Sequence, residues 1–328
     1  MSQDESLMNP VGEGPSFAYD AARGMAMCGL ACAVCSVPAC PGCHMDGCHG
    51  AATCEIRKCC LARHIAGCHA CGDFPCDAAM LKNPRVRAFV RCMREDGVPN
   101  VIDGLRRNAA CGIAYHRPDG LTGDYDKAAE ISEEAVIRLI RYGHGTDPYT
   151  DVTPFATHRF TMRAMEPADA DPLLACYADP RAWPFFNDDN CSGHFMFRTR
   201  EAMAEAIRIW TICQETRQFM RYTLLEKGTP FGTVEFCPRR DLHPVHGRVS
   251  IVRVDVGPAH ENAEDILEML GCILRDMMPA FRVDALITKA VPQAVGRIAA
   301  LETAGFAKTD DPMLSRFPHY YLYQGRSL

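Results

Sequence analysis

The sequence predicts an α+β protein in two parts: a small cysteine-rich, metal-binding N-terminal domain and a larger domain built on a mixed sheet with helices. Three observations carry this. Of nineteen cysteines, fourteen lie between Cys28 and Cys111. From Arg159 onward the residue pattern alternates between strand and helix periodicities. The length of 328 residues exceeds that of a usual single domain. The expected boundaries are a flexible N-terminal segment over 1–26, the cysteine-rich domain over 27–116, a linker with a short helix over 117–154, and the second domain over 155–328.

In the first domain three C-x2-C pairs stand out: Cys32/Cys35, Cys40/Cys43 and Cys68/Cys71. Two sulfurs at this spacing can turn onto one ion, so the pairs read as metal ligands. The expected ligands are Cys28, Cys32, Cys35, Cys40, Cys43, Cys54, Cys59, Cys68, Cys71 and Cys76, enough for two zinc ions, with His44, His49, His64 and His69 as substitutes. Pro38, Pro41, Gly42, Gly47 and Gly50 suit tight knuckles whose amides face sulfur. Such a segment has few large apolar residues, and metal binding supplies the stability its core lacks. A disulfide framework is the rival reading, but it needs an oxidising compartment. The opening MSQDESLMNPVGEGPSF is acidic and polar with no secretory pattern, so the expected location is cytoplasmic. Cys28-x3-Cys32-x2-Cys35 has the spacing of radical S-adenosylmethionine enzymes, yet Val34 stands where those carry an aromatic and further cysteines follow at once. Spare thiols Cys48, Cys60 and Cys92 leave a metal-handling or redox role open.

Net charge of −6 argues against nucleic acid as a partner, and no run approaches the length of a membrane helix. Apolar positions predict helices over Val86 to Met93 and Val101 to Arg107, and Ala135-Val136 with Leu139-Ile140 mark the short helix ended by Gly143. In the second domain Phe160 to Met165 alternates as a strand, and Pro167 opens a helix through Tyr177. Met203, Ala206, Ile207, Trp210 and Cys213 share a helical face. Phe219 to Glu226 and Phe231 to Cys237 read as strands around Lys227-Gly228-Thr229-Pro230. Strand, helix, strand, helix follow over Arg248 to Val256, Asn262 to Met277, Ala285 to Val291 and Gln293 to Ala304, and Tyr320 to Gln324 closes the sheet.

The run CGLACAVC, CPGC, CEIRKCC and CHACGDFPC over 27–80 resembles a prokaryotic cysteine-rich domain family of unknown function, taken to bind zinc. The resemblance implies a structural metal site closed to catalysis. RFTMRAMEPADADPLLACYADPRAWPFF, FGTVEF and RIAALETAGF, in this order over about 155–325, resemble the Gcn5-related N-acetyltransferase (GNAT) superfamily, its ribosomal-protein N-acetyltransferase branch in particular. That resemblance implies acetyl-CoA as cosubstrate in a cleft between two splayed strands, with an amine of a small molecule or protein as acceptor. The phosphate-binding loop maps to Val254, Val256, Gly257, His260, Glu261, Asn262 and Ala263. Glu235 or Asp255 is the expected base, and Tyr321, or its neighbour Tyr320, the expected acid. The loop lacks the family's glycines and basic residue, Glu261, Glu264 and Asp265 crowd its helix start, Leu301 occupies the usual tyrosine position, and Gln293 replaces an asparagine. Three readings follow. One is a transferase with the zinc module recruiting a protein partner; another is an inactive acetyltransferase fold acting with that module as a binding or regulatory protein; the last is the redox protein.

Overall fold

The computed structural model describes residues 20–37, 40–45, 48, 50–117, 120–191, 193–239, 242 and 247–325. Pro38, Gly47, His49 and the first nineteen residues of the N-terminal segment lie outside the described residues. The chain divides into two compact units, Met1–Gly143 and His144–Leu328.

In the first unit, α1 (Glu55–Ala62) follows the first loops, and α2 (Pro84–Asp96) is the packing centre. Asn83 caps α2 by accepting from the Arg85 amide at 2.9 Å, Pro84 sits in the first turn where its missing N–H is harmless, and Gly97 ends the helix at φ 84°. Its apolar face, Val86, Phe89, Val90 and Met93, is buried. Against it pack α3 (Val98–Ala110), α4 (Asp124–Ile131) and α5 (Glu133–Tyr142). Asn108 of α3 is fully buried and is satisfied by donating to the Tyr125 hydroxyl at 2.9 Å and the Leu139 carbonyl at 2.7 Å. The cysteine loops lie on the same core through Cys28, Cys60 and Cys68. Gly29 is the point of closest approach: its φ is +98°, and a Cβ there would stand 2.7 Å from Val90 Cγ2.

The segment 117–154, expected as a linker, is not uniform. It contributes α4 and α5, whose Tyr125, Val136, Ile137 and Ile140 belong to the first unit's core, and the division falls after Gly143. The short helix is legible from its spacing; its amphipathic face needs a partner, and that partner is α2.

The second unit is one eight-stranded sheet in the order β1-β2-β3-β4-β5-β6-β8-β7. Its strands are β1 (Phe155–Ala156), β2 (Phe160–Ala164), β3 (Met220–Glu226), β4 (Thr229–Arg239), β5 (Val249–Val256), β6 (Ala285–Lys289), β7 (Ala307–Thr309) and β8 (Tyr320–Gln324). Every pairing is antiparallel except β5 with β6. Helices α6 (Ala170–Tyr177) and α7 (Arg200–Glu215) form a cluster through Leu173, Tyr177, Met203, Ile207 and Trp210. A second cluster joins Val252, Val254 and Val256 of β5 to α8 (Ala263–Cys272) and to α10 (Val295–Thr303). The helix expected to run to Met277 is α only to Cys272; Ile273–Met277 is one π-helical stretch and α9 (Met278–Ala280) follows. Strands β1 and β7 fall outside the expected elements, their two and three residues being too short for a periodic signal.

Candidate functional site

The pairing of β5 with β6 is confined to Val249–Ala285, Ser250–Leu286 and Ile251–Ile287. Beyond Ile251 and Ile287 the two strands no longer pair with each other, although β5 stays paired with β4 to Val256 and β6 with β8 to Lys289. Two parallel neighbours that part in this way end their shared ladder in the middle of the sheet.

Strand β5 is buried along its whole length, and period-two alternation gives it two unlike faces. One face carries Val252, Val254 and Val256; the other carries Arg253 and Asp255. On that second face lies a buried ionic network. The Arg221 guanidinium of β3 donates to Glu235 Oε2 at 2.5 and 3.2 Å, to Asp255 Oδ2 at 2.8 Å, to Tyr177 Oη at 3.0 Å and to Thr233 Oγ1 at 2.9 Å. It also stands 4.2 Å from the Trp210 ring centroid. Glu235 Oε1 accepts from Arg253 Nη1. Burial pushes the Glu235 carboxyl up, but Arg221 and Arg253 outweigh it and hold the group below its ordinary value. Both Glu235 oxygens are committed, so the residue is a charge anchor rather than a base. Asp255 differs: Oδ2 accepts from Tyr177 and Arg221, while Oδ1 is buried with no hydrogen-bond partner.

Of the three expected catalytic residues, Glu235 and Asp255 thus meet through Arg221, and Tyr321 does not join them. Tyr321 belongs to the α8 and α10 cluster with the valines of β5, on the other side of the sheet from Arg253 and Asp255. A strand turns successive side chains to opposite faces, so it is Tyr320 that shares their side. The Tyr320 hydroxyl accepts from Asn187 Nδ2 at 3.2 Å, and burial pushes its pKa up to about 12. The phenol nearest the carboxylates is Tyr177, which sequence reasoning missed; burial, with Asp255 beside it, raises it well above the ordinary tyrosine value. Only its place in an apolar helix was visible, and that place reads as core.

At the end of β5, Val254 and Val256 are core residues, followed by Gly257 and the turn to α8. Asn262 caps α8 by accepting from the Asp265 amide at 3.0 Å, and Ala263 is the first helical residue. The acids expected to repel a pyrophosphate have their own counterions. Glu261 is bound by Arg297 of α10 at 2.8 and 2.5 Å, with both side chains 5% exposed. Asp265 accepts from His260 Nδ1 at 2.8 Å and from Arg159. Only Glu264 stays exposed, so the expectation of several like charges at this helix start is corrected to one. Gly296 lets α10 approach, a Cβ there lying 3.0 Å from the Ala263 nitrogen. The His260 ring also lies against Phe231, with centroids 4.0 Å apart and planes tilted by 33°. Leu301 is a core residue, and Gln293 is exposed.

In the first unit, Cys59, Cys60, Cys68, Cys71 and Cys76 line a cavity of about 130 Å³ with Phe74 and Leu81. Elsewhere Cys43 Sγ accepts from the Met27 amide at 3.0 Å and Cys54 Sγ from the Arg57 amide at 3.4 Å. Burial pushes the Cys28 thiol up to about 11 and the Cys32 and Cys68 thiols up to about 12. The donor set and its amide hydrogen bonds suit a soft divalent ion. Among the described residues, however, no three Cys, His, Asp or Glu side chains converge closely enough to hold a metal. Cys48 is half-buried, Cys60 lines the cavity, and Cys92 is fully buried in α2. No described helix is long and apolar enough to cross a membrane.

No family model matches the sequence, and no curated protein matches it. Solved structures similar to this chain include Mycobacterium smegmatis RimJ in complex with CoA-disulfide, at 11% identity and TM-score 0.42, over 52% of this chain and 84% of that one. The ribosomal-protein-S5-alanine acetyltransferase from Vibrio fischeri is similar at 12% identity and TM-score 0.41, over 53% of this chain and 97% of that one. An acetyltransferase of the GNAT family from Bacillus anthracis is similar at 13% identity and TM-score 0.40, over 52% of this chain and 98% of that one.

Proposed function

We propose that the second unit is an N-acetyltransferase that moves acetyl from acetyl-CoA to an amine. The observation that carries this reading is the parting of β5 and β6 after Ile251 and Ile287, with the start of α8 a few residues beyond the end of β5. A thioester at such a parting can lie against strand backbone, and the free amides of a helix N-terminus receive phosphate. The amine nitrogen attacks the thioester carbon, the C–S bond breaks, and CoA leaves as thiolate. Asp255 takes the proton the amine gives up, its Oδ1 being the uncommitted carboxylate oxygen. Tyr177, hydrogen-bonded to Asp255 Oδ2, positions that carboxylate.

A second reading, an inactive acetyltransferase fold used for binding, is favoured by the loop itself: Gly257 to Asn262 contains no Lys or Arg, and Arg159 and Arg297 are engaged with Asp265 and Glu261. The cysteine-rich unit, in either case, takes zinc as a structural ion, a reading supported by the amide hydrogen bonds to Cys43 and Cys54 and by the cysteine-lined cavity. The protein is expected to melt higher with acetyl-CoA and to release CoA thiol when an amine is present. Absence of any melting shift at about millimolar acetyl-CoA, where even weak ligands stabilise by mass action, would remove the transferase reading.

A further inference from the structure

On the Arg253 and Asp255 side of the sheet, a pocket of about 930 Å³ opens between α7, the ends of β4 and β5, and the segment before β8. Its size is at the upper end for a small-molecule site. Apolar wall is supplied by Phe195, Trp210, Phe219, Ile251 and Met313. Its charged wall is unbalanced: Arg253, Arg239 and Arg316 line it with one acid, Glu235, already bound by Arg221 and Arg253.

Arg253 is the informative residue. It is 5% exposed, its Nη1 donates to Glu235 and its Nη2 to the Asp189 carbonyl at 2.9 Å, yet its Nε is buried with no partner. A buried donor on a charged group is costly to leave unmet, and this one belongs to a side chain that lines an open pocket. Arg316 is exposed at the same pocket. Three guanidinium groups against one already paired acid, beside an aromatic wall, match a carboxylate joined to an apolar body.

We propose that this pocket binds a small amphipathic carboxylate of the amino-acid class, held by Arg253 with Arg316 at its mouth and with its side chain against Trp210 and Phe195. That this molecule is the amine acceptor rests on the transferase reading above; the carboxylate site itself does not. A protein N-terminus fits less well, because the carboxyl beside its amine is tied up in a peptide bond.

The test is calorimetric titration of the full chain with N-acetyl-L-phenylalanine and with N-acetyl-L-phenylalaninamide, which differ only in the carboxylate. The acid is expected to bind at least about tenfold tighter, about the worth of one charge-assisted hydrogen bond. Arg253→Met is expected to bring the two within about twofold, as expected for loss of a single ionic contact. Should that variant fail to fold, Arg316→Ala, at an exposed position, is expected to weaken the acid by about threefold with unchanged melting, the range of a partly screened charge. Equal affinity for acid and amide, including a lack of binding by both, overturns the proposal. Tighter binding of the capped peptide acetyl-Ala-Asp-Ala-Ala-amide than of the free acid overturns the small-molecule assignment. Acid-over-amide discrimination without an acetyl-CoA melting shift would discard the transferase and keep the site.

Discussion

Arg221 places its whole guanidinium inside the protein, 1% exposed, between Glu235 and Asp255. Buried pairs of this kind add little net stability as pairs but are expensive to break, because the survivor keeps an uncompensated charge. Replacing Glu235 with Gln is therefore expected to cost about 3–5 kcal/mol in urea unfolding. The pH dependence has a definite sign. The folded Glu235 pKa lies below its ordinary 4.5, so its stabilisation is fully present above about that pH and is lost as pH falls through the depressed value. Glu235→Gln is expected to flatten the acid limb of the stability curve there; an unchanged limb would show that other carboxylates control it. On the transferase reading proposed above, Asp255→Asn is expected to lower kcat by about 10²–10⁴, the usual worth of a general base, with acetyl-CoA binding kept in melting assays. At this scale Glu235 and Asp255 were legible because charged residues interrupt strands of valine and phenylalanine. Their different hydrogen-bond partners were not, since those depend on Arg221 and Arg253 arriving from two other positions in the sheet.

Among the elements, α8 shows how a local signal and a tertiary one combine. Asn262 followed by Ala-Glu-Asp is a readable helix start, and Asn262→Ala is expected to cost about 1 kcal/mol in denaturant unfolding. The acids beside it look repulsive in sequence because the arginines that pair with two of them lie far along the chain, Arg159 106 residues before Asp265 and Arg297 36 residues after Glu261. Pairing of that kind has no sequence period to reveal it. Gly29 makes the same point in the first unit. It reads as one of many loop glycines, yet its φ of +98° and the 2.7 Å approach to Val90 Cγ2 fix it between the cysteine loops and α2. Gly29→Ala is expected to destabilise by about 1–3 kcal/mol, through overpacking and an unfavourable left-handed backbone, as measured by thermal unfolding.

For the whole molecule, the two units can be followed separately because both tryptophans, Trp183 and Trp210, lie in the second. If zinc holds the cysteine-rich unit, chelation is expected to reduce the helical circular dichroism signal while tryptophan fluorescence stays native. A fluorescence change matching the loss of helix would contradict independent metal dependence. The sequence alone marked a cysteine-rich stretch ahead of a strand-and-helix stretch, the positions of most strands, and the sheet-closing Tyr320 to Gln324, because composition and periodicity are local properties. Tertiary structure decided that the supposed linker completes the first core, that Tyr320 and not Tyr321 shares a face with Asp255, and that β5 and β6 part after three pairs. The physical reason is common to all three. Burial, facing and strand divergence are set by what packs from distant positions, and a side chain's chemistry follows from the partners it meets there.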